Sequence, residues 1–260
     1  MFLGYTASLF IGLILGLLGS GGSILAIPIL VYLFQVGPVD ATAYSLFIVG
    51  ATSAVGTFSK RKKGLVNFKI GLVFGIPSLA AVFVARKWIV PALPDIIVGL
   101  PYLVITKRML LLGLFAVLMM AASYSMVRKR NSAVGPKEAG VMYLLVLALM
   151  IGLLTGLVGA GGGFLIIPAL VLLAGQPMKV AAGTSLFIIA FNSLIGFTGD
   201  ILNLEIQWPF LLSITALAIA GIFIGNWLST MIKGEHLKVA FGWLTLAMGC
   251  WILVKEIFHP

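Results

Sequence analysis

Apolar residues fall in ten runs separated by short polar or charged breaks. The runs cover 2–18, 23–36, 39–58, 65–90 and 108–127, then 139–158, 163–175, 178–198, 207–231 and 237–258. Several approach about 20 residues, the length a helix needs to cross a hydrocarbon core. They are continuous rather than alternating, which excludes the roughly ten-residue strands of a membrane β-barrel. The pattern predicts an all-α polytopic membrane protein of about ten helical segments. The second run of each half has roughly 13 residues, or ~20 Å at helical rise, less than the ~30 Å hydrocarbon thickness. Each is therefore expected to span only partway or to form a re-entrant hairpin. The opening MFLGYTASLF has no basic n-region or cleavage site and reads as a retained first helix.

A glycine-broken turn occurs twice. Residues 12–28 read GLILGLLGSGGSILAIP and residues 152–168 read GLLTGLVGAGGGFLIIP. At a constant, ungapped offset of 140, 20 of the 47 pairs between 12–58 and 152–198 are identical, including Ser45-Leu46-Phe47-Ile48 on Ser185-Leu186-Phe187-Ile188. An internal duplication follows, with one repeat in 1–130 and the other in 131–260.

Loop charge relates the repeats. Lys60-Arg61-Lys62-Lys63 follows the third run and should be cytoplasmic, whereas the equivalent stretch GDILNLE at 199–205 has Asp200, Glu205 and no base. Threading the chain from the Lys60 loop puts both termini outside and 12 of the 17 bases inside; Arg86, Lys87, Lys107, Arg108 and Lys255 fall outside. Five segments per repeat produce this inversion, and inverted repeats are typical of secondary transporters. The composition agrees: 61% hydrophobic, 9% charged, mean hydropathy +1.19. The net charge of +10 sits in clusters between runs rather than in a basic stripe with aromatics, which argues against nucleic-acid binding. The single cysteine, Cys250, permits no intrachain disulfide and no cysteine-pair metal motif.

The candidate chemistry lies at the broken segments. Consecutive glycines are costly in a helix, so Gly21-Gly22 and Gly161-Gly162-Gly163 are expected to form loops, with helices starting at Ser23 and Gly163. Helix N-termini present unpaired N–H groups and partial positive charge. Two such termini related by pseudo-twofold symmetry would hold an anion without a charged side chain. Ser20, Ser23, Ser45, Ser53, Thr184, Ser185, Asn192 and Ser193 supply neutral donors nearby; Ser45, Thr184 and Ser185 equally suit hydrogen bonds to their own helix backbone. Gly12/Gly16 and Gly152/Gly156 are spaced for close helix packing, and Pro28 and Pro168 for kinks. GAGGG lacks the Lys-Ser/Thr of a P-loop. His236 and His259 have no nucleophile or metal-ligand cluster in sequence around them, so no enzyme activity, metal or cofactor is expected. The acidic residues sit at segment ends, which argues against a cation carrier; Asp40 and Asp200 are the nearest candidates for proton coupling, with solvated helix ends the favoured alternative.

The duplicated G-x-G-G turn, its apolar pair and Pro, and the element Ala43-Tyr44-Ser45 or Gly183-Thr184-Ser185 some 20 residues on resemble the sulfite exporter TauE/SafE family over essentially the whole chain. The resemblance implies a multi-pass permease of the cytoplasmic (inner) membrane that moves a small sulfur oxyanion such as sulfite, sulfonate or thiosulfate, usually outward. The implied partners are the lipid bilayer, the anion and a possible homo-oligomer. The first copy departs from the pattern at Ser23 and Ala43-Tyr44, so its half is expected to contact substrate less directly. A carrier for another small anion such as a carboxylate, a passive anion channel and a non-transporting membrane subunit stay open as alternatives.

Overall fold

A computed structural model describes residues 2–89, 92, 94, 96–100, 103–127, 140–158, 163–201 and 206–258. The first half holds α1 (Phe2–Leu18), α2 (Gly21–Pro28), α3 (Pro38–Arg61), α4 (Phe68–Val84) and α5 (Lys107–Val127). The second holds α6 (Val141–Val158), α7 (Gly163–Pro168), α8 (Met178–Ile201), α9 (Trp208–Met231) and α10 (Gly234–Phe258). The protein is an all-α membrane protein, and α3, α4, α8, α9 and α10 are long and apolar enough to cross a bilayer.

Local detail repeats with the sequence. α3 and α8 match end for end at the offset of 140, and α4 and α9 share their start. Directly after Pro28 and Pro168 the helix widens into a π-turn, Ile29–Leu33 and Ala169–Leu173; a proline lacks the N–H that a regular α ladder requires. Each π-turn then ends at a left-handed residue, Gln35 (φ 56°) or Gly175 (φ 65°). The match ends after α4. There a two-stranded antiparallel ribbon pairs β1 (Ile96–Leu100) with β2 (Leu103–Thr106), whereas α9 runs almost directly into α10. The hydropathy pattern assigned this stretch no element; its Ile, Val and Thr residues suit a pleated backbone.

Packing crosses the halves. Gly12 lies against Ala218, and Gly16 against Ile222 and Asn226, so α1 and α9 run parallel with their backbones nearly touching. Gly152 against Ser78 and Gly156 against Val82 repeat the arrangement between α6 and α4. These four glycines are thus packing residues, and small side chains are what allow such approach in a lipid environment. Equivalent helices instead run antiparallel. Gly50 meets Leu194 and Gly56 meets Leu186 between α3 and α8, and Gly242 meets Met126 and Gly249 meets Met119 between α10 and α5. The α3–α8 pair forms the centre: 67% and 61% of their spans are buried inside the protein, against 28% for α10.

Three sequence-based expectations change. α2 starts at Gly21, not Ser23, so Gly21 and Gly22 form its first turn rather than a loop. The left-handed residue of the turn is Gly19 (φ 93°), whose backbone rests on Ala182; a side chain there would collide with α8. Helix α3 also runs through Arg61, so Lys60 and Arg61 belong to its last turn, and α8 likewise includes Asp200.

Candidate functional site

The first turn is organised by Ser20, the N-cap of α2. Its carbonyl accepts from Ser23 N (3.2 Å) and Ser23 Oγ (2.7 Å), while its own Oγ is buried with no partner among the described residues. A Cβ on Gly163, the first residue of α7, would lie 3.1 Å from Ser20 Cβ. The two broken segments therefore meet end to end, Ser20 against Gly163. Gly161 and Gly162 lie outside the described residues. Gly22 abuts the Ile11 carbonyl and Leu15, so its missing side chain makes room for α1 rather than for a ligand. A Cβ on Gly21 would lie 3.0 Å from both Ile14 and Leu244. Protein packs against both glycines where a Cβ would stand, and neither has a left-handed backbone.

The hydroxyls divide into two groups. Ser45 Oγ donates to the Thr42 carbonyl (2.8 Å) and Ser185 Oγ to the Ala182 carbonyl (3.0 Å), positions again 140 apart. Thr184 Oγ1 accepts from Asn67 N (3.0 Å), the residue whose side chain caps α4 by accepting from Ile70 N (3.1 Å). At the equivalent place Tyr44 OH accepts from Gln207 N (2.9 Å), at the cap position of α9. Tyr44 and Thr184 differ in shape but do one task. Each ties the third helix of its half to the N-terminus of a fourth helix in the other half.

The second group has capacity left. Thr52 Oγ1, Ser53 Oγ and Ser193 Oγ are buried with no partner among the described residues. Asn192 donates from Nδ2 to Ser78 Oγ (3.2 Å) and leaves Oδ1 unpaired. Thr52 and Ser53 are the repeat equivalents of Asn192 and Ser193. The antiparallel register of α3 on α8, Gly50 against Leu194, puts both pairs at one level near the middle of the crossing. Buried polar atoms are usually satisfied, so these idle ones, at matching positions of the two repeats, keep capacity for a further hydrogen-bond partner. Asn226 in α9, with both side-chain atoms idle at 3% exposure, was not anticipated. Its signal was available, since an amide inside an apolar run is unusual.

Broken helices meeting beside a pair of long antiparallel helices that carry idle polar groups define a polytopic helical membrane transporter. The sequence profile of the family described as Sulfite exporter TauE/SafE matches residues 5–252, and the chain belongs to that family. It is 28% identical over 254 residues to a probable membrane transporter protein of Xylella fastidiosa (strain 9a5c), covering 95% of this chain and 92% of that one. It is 27% identical over 274 residues to the probable membrane transporter protein YunE of Bacillus subtilis (strain 168), covering 95% and 97%. A probable membrane transporter protein of Methanocaldococcus jannaschii is 26% identical over 263 residues, with 94% and 93% covered.

Proposed function

We propose that the protein is a secondary transporter of a small sulfur oxyanion such as sulfite, sulfonate or thiosulfate, working in the cytoplasmic membrane as an exporter. The observation that carries this reading is the meeting of Ser20 with Gly163 beside idle hydroxyls and an amide on α3 and α8. Such a set offers donors to an anion without an opposing carboxylate, and helix starts favour negative charge. In this reading the substrate sits among Ser20, Gly161, Gly162, Gly163, Ser53, Asn192 and Ser193. Ser23, Ser45, Thr184 and Ser185 hold the surrounding backbone in place, because their hydroxyls already have partners.

The halves 1–130 and 131–260 act as an inverted repeat, supported by the antiparallel α3–α8 and α5–α10 pairs. Alternating access then moves composite bodies rather than the two halves of the chain. α1 travels with α9 and α6 with α4, because backbone-to-backbone contacts bind each pair more tightly than a sliding interface allows.

The test is a thermal-stability screen of purified protein against sulfite, thiosulfate, sulfate, sulfoacetate, phosphate and acetate, followed by counterflow in liposomes with each binder. Selective stabilisation by a sulfur oxyanion with saturable counterflow is expected. Stabilisation by acetate alone overturns the substrate class, and unsaturable flux overturns the carrier.

A further inference from the structure

Lys60 is the only charged side chain in the interior among the described residues, at 3% exposure, whereas Arg61, Lys62 and Lys63 beside it are exposed. No carboxylate pairs with it among those residues; the charges that act on it are Lys63 and Lys179, both of its own sign. Lys179, in the first turn of α8, reaches across to α9, where its Nζ donates to the Thr230 carbonyl at 3.4 Å.

The third member comes from α9. The Tyr44 and Phe210 rings lie 6.1 Å apart, tilted at 49°, and Gly56 abuts Ile222, so α3 and α9 lie parallel in a fixed register. One further turn brings Lys60 level with Asn226, one turn before Thr230. Asn226 is buried with neither its Nδ2 nor its Oδ1 in a hydrogen bond among the described residues. Three elements thus bring two ammonium groups and an idle amide to one end of the molecule. The cluster adjoins the central site, because Ala182, one turn along α8 from Lys179, carries Gly19, and Ser20 follows.

A lysine whose side chain is almost wholly buried, with no carboxylate partner among the described residues, is costly, and neighbouring cations raise that cost. A ligand that relieved it would be an anion with several acceptor oxygens, taking a charge-assisted bond from each lysine and an N–H from the amide. The repeat equivalents of Lys60 and Asn226 are Asp200 and Arg86, so the arrangement is not duplicated at the other end of the chain's pseudo-symmetry. Only one mouth of the molecule carries this set of residues.

We propose that Lys60, Lys179 and the amide of Asn226 form a docking station where an oxyanion is captured before it passes to the central site. The inference rests on the anion-transporter reading and adds to it a cationic first stop on the Lys60 side. The same chemistry would accept the phosphate of an anionic lipid headgroup, so the experiment separates the two.

Equilibrium binding of ³⁵S-labelled sulfite, thiosulfate and sulfate is measured on the purified full chain in dodecyl maltoside. It is repeated in phosphatidylcholine nanodiscs with and without phosphatidylglycerol. Wild type is expected to show two classes of site, and Lys60→Met and Asn226→Leu are each expected to weaken one of them by about tenfold or more, the effect of losing one charge-assisted contact, while the central class persists. Lys60→Arg should stay within about threefold, since the charge persists, and the exposed Lys62→Gln should match wild type. Lys60→Met is also expected to melt no lower than wild type without anion, because it removes a charge on a mostly buried side chain that has no carboxylate partner among the described residues. Should it not fold, Lys179→Gln carries the same binding expectation. A folded Lys60→Met that binds like wild type, while wild type binds, overturns the station alone. Wild type that binds none of the three anions overturns the substrate reading and the station with it. Loss of binding to wild type in phosphatidylglycerol discs, with Lys60→Met indifferent to that lipid, assigns the station to a headgroup and overturns the capture role.

Discussion

Replacing Thr184 by Val removes one hydroxyl and keeps the shape of the side chain. That hydroxyl accepts from Asn67 N, and Asn67 Oδ1 is already occupied by Ile70 N, so no nearby acceptor replaces it. A buried donor left unpaired costs about 1–3 kcal/mol. This bond is only partly buried, and hydrogen bonds inside membrane proteins average about 0.6 kcal/mol with a maximum near 1.7, which places the expected loss at ~0.5–1.5 kcal/mol. At about 2–4 °C per kcal/mol for a chain of this size, the melting midpoint should fall by roughly 1–6 °C. Thr184→Ser should recover most of it. Tyr44→Phe should behave alike, because Tyr44 OH accepts from Gln207 N at the equivalent place. The assay is thermal unfolding of purified variants in detergent, with anion affinity measured in parallel. Affinity should change little, since the hydroxyl is engaged by backbone. An unchanged midpoint together with tenfold weaker anion binding would refute the reasoning and make Thr184 a substrate ligand.

Other expectations follow from the same contacts. Gly12→Ala should abolish accumulation of folded protein, because the new methyl overlaps the Ala218 carbonyl, whereas Gly113→Ala in α5 meets no atom within 4 Å and should be neutral or stabilising by up to ~1 kcal/mol; yield and monodispersity on gel filtration decide. In a Cys250→Ala background, Lys63→Cys and Gln207→Cys, both exposed, should label from opposite faces of intact cells with an impermeant maleimide; equal labelling would sink the inverted repeat. Asn192→Ala should weaken substrate binding by about tenfold, one hydrogen bond to a charged ligand, read by titration of the best anion from the stability screen.

Much of the architecture was legible because membrane insertion and duplication both write directly into sequence. Run length predicted the long helices, and the 140-residue offset carried through to helix boundaries, π-turns and left-handed residues. What failed was local. Gly21-Gly22 looked like a loop from composition, yet the pair is helical because α1 packs so close to Gly22 that no larger residue fits. Lys60 looked like a solvated topology signal, since nothing in a run of four bases tells which one the helix turns inward. Tyr44 looked like a departure from its Thr counterpart, because the shared task depends on where a hydroxyl ends up rather than on residue type. The hairpin at 96–106 escaped because its Pro-broken surroundings carry neither period clearly. Of the hydroxyls and the amide picked from sequence, Ser20 Oγ and Asn192 Oδ1 have no partner among the described residues, while Ser45, Thr184 and Ser185 are already engaged.

The crossed pairing of α1 with α9 has a consequence for how the chain is made. Gly12 finds its partner Ala218 about 200 residues later, so at about 5–20 residues per second of synthesis α1 waits on the order of 10–40 s with its glycine face turned to lipid. An N-terminal fragment ending near residue 130 should therefore insert but not mature, lacking the surface its first helix was built to meet. Supplied with the separate C-terminal fragment in the same membrane, it gains its missing interfaces at once, α1 with α9, α4 with α6, α3 with α8 and α5 with α10. Complementation between split halves is thus expected for this protein, and quality-control proteolysis of either half alone.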